Sequence, residues 1–359
     1  MSTLRLYVGT YTQKMGHVPG QPAEGIYLYH FDAESGALAR VGVTPGVDNP
    51  SYLAFHPTRR FLYTSNETPR NDGVSAFAIN AADGRLSPLN RQPAHGSAAC
   101  FVSVDQSGRY LLCANYGGGN VVMYPIQEDG SLGEVCANIP HTGYGPDPAR
   151  QAMSHAHSIF LSPDNRFAMS CDLGLDKVIV YRLDLEGGAE HGGKLIPHST
   201  ALLPEGAGPR HLDFHPNGRF VYVIGELGGS LTAFAWDAAA GQLSALETLS
   251  TLPEGYSGRQ ACADVHVHPS GRFLYGSNRF QDSIVIYRID PESGRLSLVG
   301  HEPVRGKTPR NFAIDPSGQF LLAANQDSGN IVTFRIDPQT GGLSYLGSVE
   351  CAAPVCLKF

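Results

Sequence analysis

The chain has 359 residues, 42% of them hydrophobic, with 26 Lys and Arg against 33 Asp and Glu, a net charge of −7 and a pI near 6.0. No basic tract supplies the electrostatic footprint of nucleic-acid binding, no 18-residue apolar run can span a membrane, and the opening MSTLRLYVGT carries no apolar signal segment. The seven cysteines are odd in number and form no CxxC pair, which fits a reducing cytoplasm better than a disulfide framework or a zinc site.

Gly (42) and Pro (25) are abundant but scattered, the profile of many short strands joined by tight turns. RLYVGTY begins the chain as a strand, and after a long excursion at 10–25 the segment GIYLYHFDAESGALARVG adds two more around a Gly turn. From there one phrase recurs: an apolar strand, [HSD]-P-x-G-R-F or a close variant, a second apolar strand, a third, and a Gly turn into Leu-Ser. It reads FHPTRRFLYTSNE at 55–67, VDQSGRYLLCANY at 104–116 and LSPDNRFAMSCDL at 161–173. It returns as FHPNGRFVYVIGE at 214–226, VHPSGRFLYGSNR at 267–279 and IDPSGQFLLAANQ at 314–326. The aromatic opening each second strand moves from Phe61 to Phe320 in five steps over 259 residues, a period of about 52.

Four short antiparallel strands (a to d) and about fifty residues per unit define a β-propeller blade. Six units are complete. The N-terminal segment lacks a strand a, and the C-terminal APVCLKF resembles the strand-a opening NPSYLAF. The expectation is therefore an all-β, seven-bladed propeller in a single domain, 1–359, whose last strand joins the first blade and closes the ring.

In such a blade the start of strand a and the end of strand b share one end, at the mouth of the central channel. Aligned on the turn, the strand-a positions are Ser51, Cys100, His157, Arg210, Ala263, Arg310 and Val355. The strand-b positions are Tyr11, Glu67, Tyr116, Leu173, Glu226, Arg279 and Gln326. A purely structural ring would repeat one residue type; these collect His157, Arg210, Arg279, Arg310, Glu226 and Glu67. If SHAHS is extended, alternation points His155 the same way as His157. For any single pair, such as Arg210 and Glu226 on the hairpin GPRHLDFHPNGRFVYVIGELGG, an ion pair closing the channel is the plainer reading. Three arginines beside one or two histidines instead suggest a small anionic ligand, because guanidinium matches carboxylate and phosphate bidentately.

Three long connections, at 10–25, 138–157 and 252–263, emerge at this mouth and bring Tyr144, Arg150, Tyr256 and Arg259 as rim candidates. EGGAEHGGK at 186–194 lies at the other end. The ring just before strand b ends, Thr10, Asn66, Asn115, Asp172, Gly225, Asn278 and Asn325, is regular enough to read as turn capping instead of metal ligation. His56, His215 and His268 belong to the repeated turn and read as structural.

HSIFLSPDNR (157–166), GPRHLDFHPNGRFVYVIGEL (208–227), ADVHVHPSGRFLYGSNR (263–279) and TPRNFAIDPSGQFLLAANQ (308–326) together resemble the seven-bladed propeller lactonases, over essentially the whole chain. The resemblance implies hydrolysis of 6-phospho-D-glucono-1,5-lactone to 6-phosphogluconate with no metal or cofactor. His157 or Glu226 would serve as acid–base group, Arg210, Arg279 and Arg310 as anion-binding groups, and His155, Glu67 and Arg259 as further substrate contacts. Fungal carboxy-muconate cyclases resemble the same pattern, so a lactonising enzyme is one alternative; a non-catalytic propeller binding a protein or small anion is another.

Overall fold

The recurring Pro-x-Gly-Arg-Phe phrase turns out to be the joint between neighbouring blades. In the structure, a computed structural model describing residues 3–18, 20–68, 73–186 and 193–359, Phe220 packs against the third-to-fourth-strand turn of the next blade at Gly294. Two residues on, the Tyr222 hydroxyl donates to the Gly294 carbonyl at 3.0 Å, and one residue back Arg219 donates to the Glu292 carbonyl at 3.1 Å. Gly294 has φ of +70°, and a Cβ there would stand 2.4 Å from the Phe220 ring. The same joint recurs where Phe273, Tyr275 and Arg272 meet the turn at Pro338–Gly341. The histidine of the phrase makes a second joint: Nε2 of His56, His215 and His268 lies 2.8–2.9 Å from the carbonyl of Gly108, Gly271 and Gly318 in the following unit's turn. Gly108, at φ +73°, would put a Cβ 2.3 Å from the His56 ring. These repeated histidines are thus engaged in blade-to-blade hydrogen bonds.

Twenty-eight strands, β1 to β28, are formed by the described residues, in seven four-stranded antiparallel sheets. This is a seven-bladed β-propeller. Blade 1 orders β28 (Pro354–Lys358), β1 (Thr3–Thr10), β2 (Gly25–Asp32) and β3 (Leu38–Pro45), the last strand of the chain pairing with β1 through Tyr7↔Lys358, Val8↔Leu357 and Gly9↔Cys356. Blades 2 to 7 lie in turn within residues 50–93, 99–140, 156–202, 209–250, 261–303 and 309–350. Strand b is buried along its whole length in most blades, as in Phe220–Gly225 and Phe320–Asn325, whereas strand d alternates towards solvent, as in Leu86–Pro93. Sheets covered on both faces by neighbouring sheets require apolar residues at successive positions, which explains runs such as Val221–Ile224.

Two compact units make up the chain: Met1–Val47 with His211–Trp236 and Ser244–Phe359, and Asp48–Arg210 with Asp237–Leu243. All seven cysteines are free, and six are buried. No helix among the described residues is long and apolar enough to cross a membrane. Of the 186–194 insertion, residues 187–192 lie outside the described residues.

Candidate functional site

A slip in strand register sets the inner ring. In blade 4, β12 (Ala156–Leu161) pairs Ala156 with Asp172 and Ser158 with Cys171 of β13 (Phe167–Asp172), so His157 is the extra residue of a β-bulge. Arg310 is skipped in the same way between Pro309↔Asn325 and Asn311↔Ala324. The slip also falls at Ser51, at Cys100, at Ala263 with Asp264, and at Val355. Six of the seven strand-a positions aligned from sequence are therefore bulge positions, where the strand bends and a side chain is re-aimed.

In the unit holding blades 1, 6 and 7 and most of blade 5, Glu226 and Arg279 form a buried ion pair, Oε2 to Nη2 at 2.7 Å, with side chains 7% and 9% exposed. Arg279 also donates to the carbonyls of Cys262 (3.1 Å) and Ala261 (3.3 Å). Burial holds the Arg279 guanidinium below its ordinary pKa; the Glu226 charge opposes this and the nearby Arg310 charge adds to it. Arg310 lies with Cζ 5.4 Å from the centroid of the Tyr11 ring. A buried ion pair thus lies beside the half-buried Arg310, where an incoming anion would relieve the repulsion between the cations. Arg259, by contrast, is exposed and stacks 3.8 Å over the Phe280 ring.

The same unit holds a polar belt that the sequence did not reveal. Asp264 accepts from His211 (Nδ1, 2.7 Å), from His266 (Nε2, 3.1 Å) and from Asn311 Nδ2. Asn311 in turn accepts the Leu357 amide at 2.7 Å, so the network crosses the inner strands of blades 5, 6, 7 and 1. Burial works against the charge on His266, but the Asp264 carboxylate, helped by Asp213, outweighs it and raises its pKa to about 10. Asp264 is held well below the usual carboxylate range: burial opposes ionisation, and its two histidine partners overcome it.

In the unit holding blades 2 to 4, the two candidate histidines meet around Tyr116. The His155 ring stacks on Tyr116 at 4.4 Å, the His157 ring meets it edge-on at 5.6 Å, and Arg150 reaches the Tyr116 hydroxyl at 3.4 Å. His155 Nδ1 donates to the Tyr116 carbonyl at 2.8 Å. His157 is 5% exposed, with Nδ1 3.9 Å from the Cys100 sulfur. Arg210 is buried, and its carbonyl accepts from Ser158 Oγ at 2.8 Å. Glu67 is buried as well, its backbone clamped to Asn49 by two hydrogen bonds.

The ring read as turn capping behaves that way at its asparagines. Asn66, Asn115, Asn278 and Asn325 donate Nδ2 to the carbonyls of Asp48, Ala94, Thr251 and Val304, in the connection entering the same blade. Asp172 replaces that donor with an acceptor. It takes hydrogen bonds from the His155 amide (2.8 Å), the Gly174 amide (3.0 Å) and His141 Nδ1 (2.6 Å), whose Nε2 meets the Tyr181 hydroxyl at 2.6 Å. The one carboxylate in an otherwise neutral ring was the legible signal. Among the described residues no group of three or more His, Cys, Asp or Glu could hold a metal ion.

Comparison with known proteins agrees with this architecture. The family model for lactonases of the 7-bladed β-propeller type matches residues 5–359. The chain is 37% identical over 309 residues to a 6-phosphogluconolactonase of Bacillus subtilis, covering 86% of this chain and 84% of that one. It is 35% identical over 314 residues to one of Formosa agariphila, covering 86% of each. The solved structure of a periplasmic gluconolactonase of Pseudomonas aeruginosa, PpgL, superposes with a TM-score of 0.91 at 36% identity over 99% of both chains. The chain belongs to the lactonase family of seven-bladed β-propellers, enzymes of the carboxylic-ester hydrolase class.

Proposed function

We propose that the chain hydrolyses a phosphorylated sugar lactone, 6-phospho-D-glucono-1,5-lactone, to 6-phosphogluconate in the cytoplasm. The observation that carries this reading is the buried Glu226–Arg279 pair with Arg310 beside it, an arrangement suited to an anionic substrate. It is supported by the relatives named for that activity, 37% and 35% identical to this chain.

Lactone opening needs a water molecule made nucleophilic and a carbonyl oxygen stabilised as it gains charge. His157 takes the water proton as the water oxygen bonds to the carbonyl carbon, and returns it to the ring oxygen as the ring C–O bond breaks; general-base help of this kind contributes on the order of 10²–10⁴-fold. Glu226 is the lesser candidate for that role, because the Arg279 guanidinium already occupies a carboxylate oxygen at 2.7 Å. Arg210, Arg279 and Arg310 divide two tasks, stabilising the oxyanion and holding the distal phosphate so that the carbonyl is correctly presented. His155, Glu67 and Arg259 are assigned to substrate binding. No metal or cofactor is required by this scheme.

The likeness to PpgL favours a second reading, in which the lactone carries no phosphate. Parallel assays with freshly prepared phosphorylated and unphosphorylated gluconolactone, corrected for spontaneous hydrolysis, decide between them. A kcat/KM at least about tenfold higher for the phosphorylated substrate is expected; an equal or reversed ratio replaces the first reading with the second.

A further inference from the structure

Two segments deliver candidate groups in blade 4 and at the start of blade 5: the long connection 138–157, which ends at His157, and residues 203–208, which lead into Arg210. Both are gripped by the turn between β13 and β14 (Lys177–Asp184), the stretch LGLD at 173–176. Asp176 closes this turn at φ +55° and is only 6% exposed. Its Oδ2 accepts the Gly206 amide at 2.7 Å. Its Oδ1 accepts the Gly208 amide at 2.7 Å and Gln151 Nε2 at 2.8 Å, and its own carbonyl accepts the Leu203 amide at 2.9 Å. Gln151, fully buried, ties the other segment to the same turn through the Leu173 carbonyl at 2.8 Å.

We propose that Asp176 is a positioning residue for Arg210 in anion recognition. Its carboxylate holds the backbone four and two residues before Arg210, at glycines in the left-handed region (φ +75° at Gly206 and +60° at Gly208), and so fixes where the guanidinium is presented. Only an acceptor with two lone-pair-bearing oxygens can take three donors arranged in this way. An asparagine of the same shape turns one oxygen into a donor, sets it against an amide N–H, and releases the segment. The assignment rests on the reading of Arg210 as an anion-binding group.

The test compares Asp176→Asn and Arg210→Ala with wild type on phosphorylated and unphosphorylated gluconolactone. Asp176→Asn is expected to raise KM for the phosphorylated lactone about tenfold, the effect of losing a charge-assisted hydrogen bond, and to change kcat/KM on the uncharged lactone less than about twofold. A purely structural role would lower activity on both substrates together, which overturns the proposal. If Arg210→Ala loses the preference for phosphate while Asp176→Asn keeps it, the positioning role fails and the reading of Arg210 stands. If Arg210→Ala keeps the preference, the reading of Arg210 fails and the proposal falls with it. Should Asp176→Asn not fold, Asp176→Ser, which retains an acceptor oxygen, is measured on the same two substrates with the same criteria.

Discussion

Glu226 and Arg279 are the pair whose removal should be felt most. Their side chains are 7% and 9% exposed and 2.7 Å apart, so taking away one partner strands a charge in a dry environment. Such a loss costs roughly 3–5 kcal/mol, whereas replacing both partners by neutral groups of similar volume costs far less. We therefore expect Glu226→Gln and Arg279→Met each to destabilise the protein by about 3–5 kcal/mol in denaturant titrations, and the double variant to cost no more than either. The coupling energy from the cycle should then be at least about 3 kcal/mol. Because Arg310 already disfavours the charge on Arg279, removing the Glu226 charge leaves two guanidinium groups in mutual repulsion. Inorganic phosphate should stabilise Glu226→Gln more than wild type. Additive single effects, within about 0.5 kcal/mol, together with no extra response to phosphate, would refute the reasoning.

Three further expectations follow from other parts of the molecule. His266 has a pKa raised to about 10, above its unfolded value near 6.5, so its contribution to stability is complete below pH ~6.5 and is lost as pH rises through ~10. Denaturant midpoints should fall across that window in wild type, and the decline should flatten in His266→Gln. Gly294→Ala must accept φ of +70° and a Cβ 2.4 Å from the Phe220 ring; a loss of about 2–4 kcal/mol, with kcat unchanged, is expected, and a neutral melt would discredit the blade joint. Burial raises the Cys171 thiol to about 12 and the Cys351 thiol to about 12, so neither should react with a thiol reagent until the protein is unfolded.

The blade count, the strand order and the closing strand could be read from the repeat because each phrase residue has a local duty that recurs. Phe220 and Gly294 fit each other, as Phe273 and Gly341 do. The ring positions could be aligned as well, yet strand alternation alone could not say how His157 and Arg310 are aimed. A bulge shifts the register at each, and nothing in a single strand's composition announces it. Asp172 stands out in the sequence as the odd carboxylate of its ring, but what it and Asp176 hold does not. Asp172 takes His141, 31 residues away, and the His155 amide only once the 138–157 connection has folded back, while Asp176 takes Gln151 from that connection and the amides of Gly206 and Gly208, 30 and 32 residues further on. The belt around Asp264 joins four blades, so no local pattern encodes it.

The most direct test follows acid release from fresh 6-phospho-D-glucono-1,5-lactone, corrected for spontaneous opening, by wild type and His157→Ala. Wild type should accelerate hydrolysis, and the variant should lose about 10²–10⁴-fold in kcat with KM changed less than about threefold. Turnover by the variant within about twofold of wild type would contradict the account.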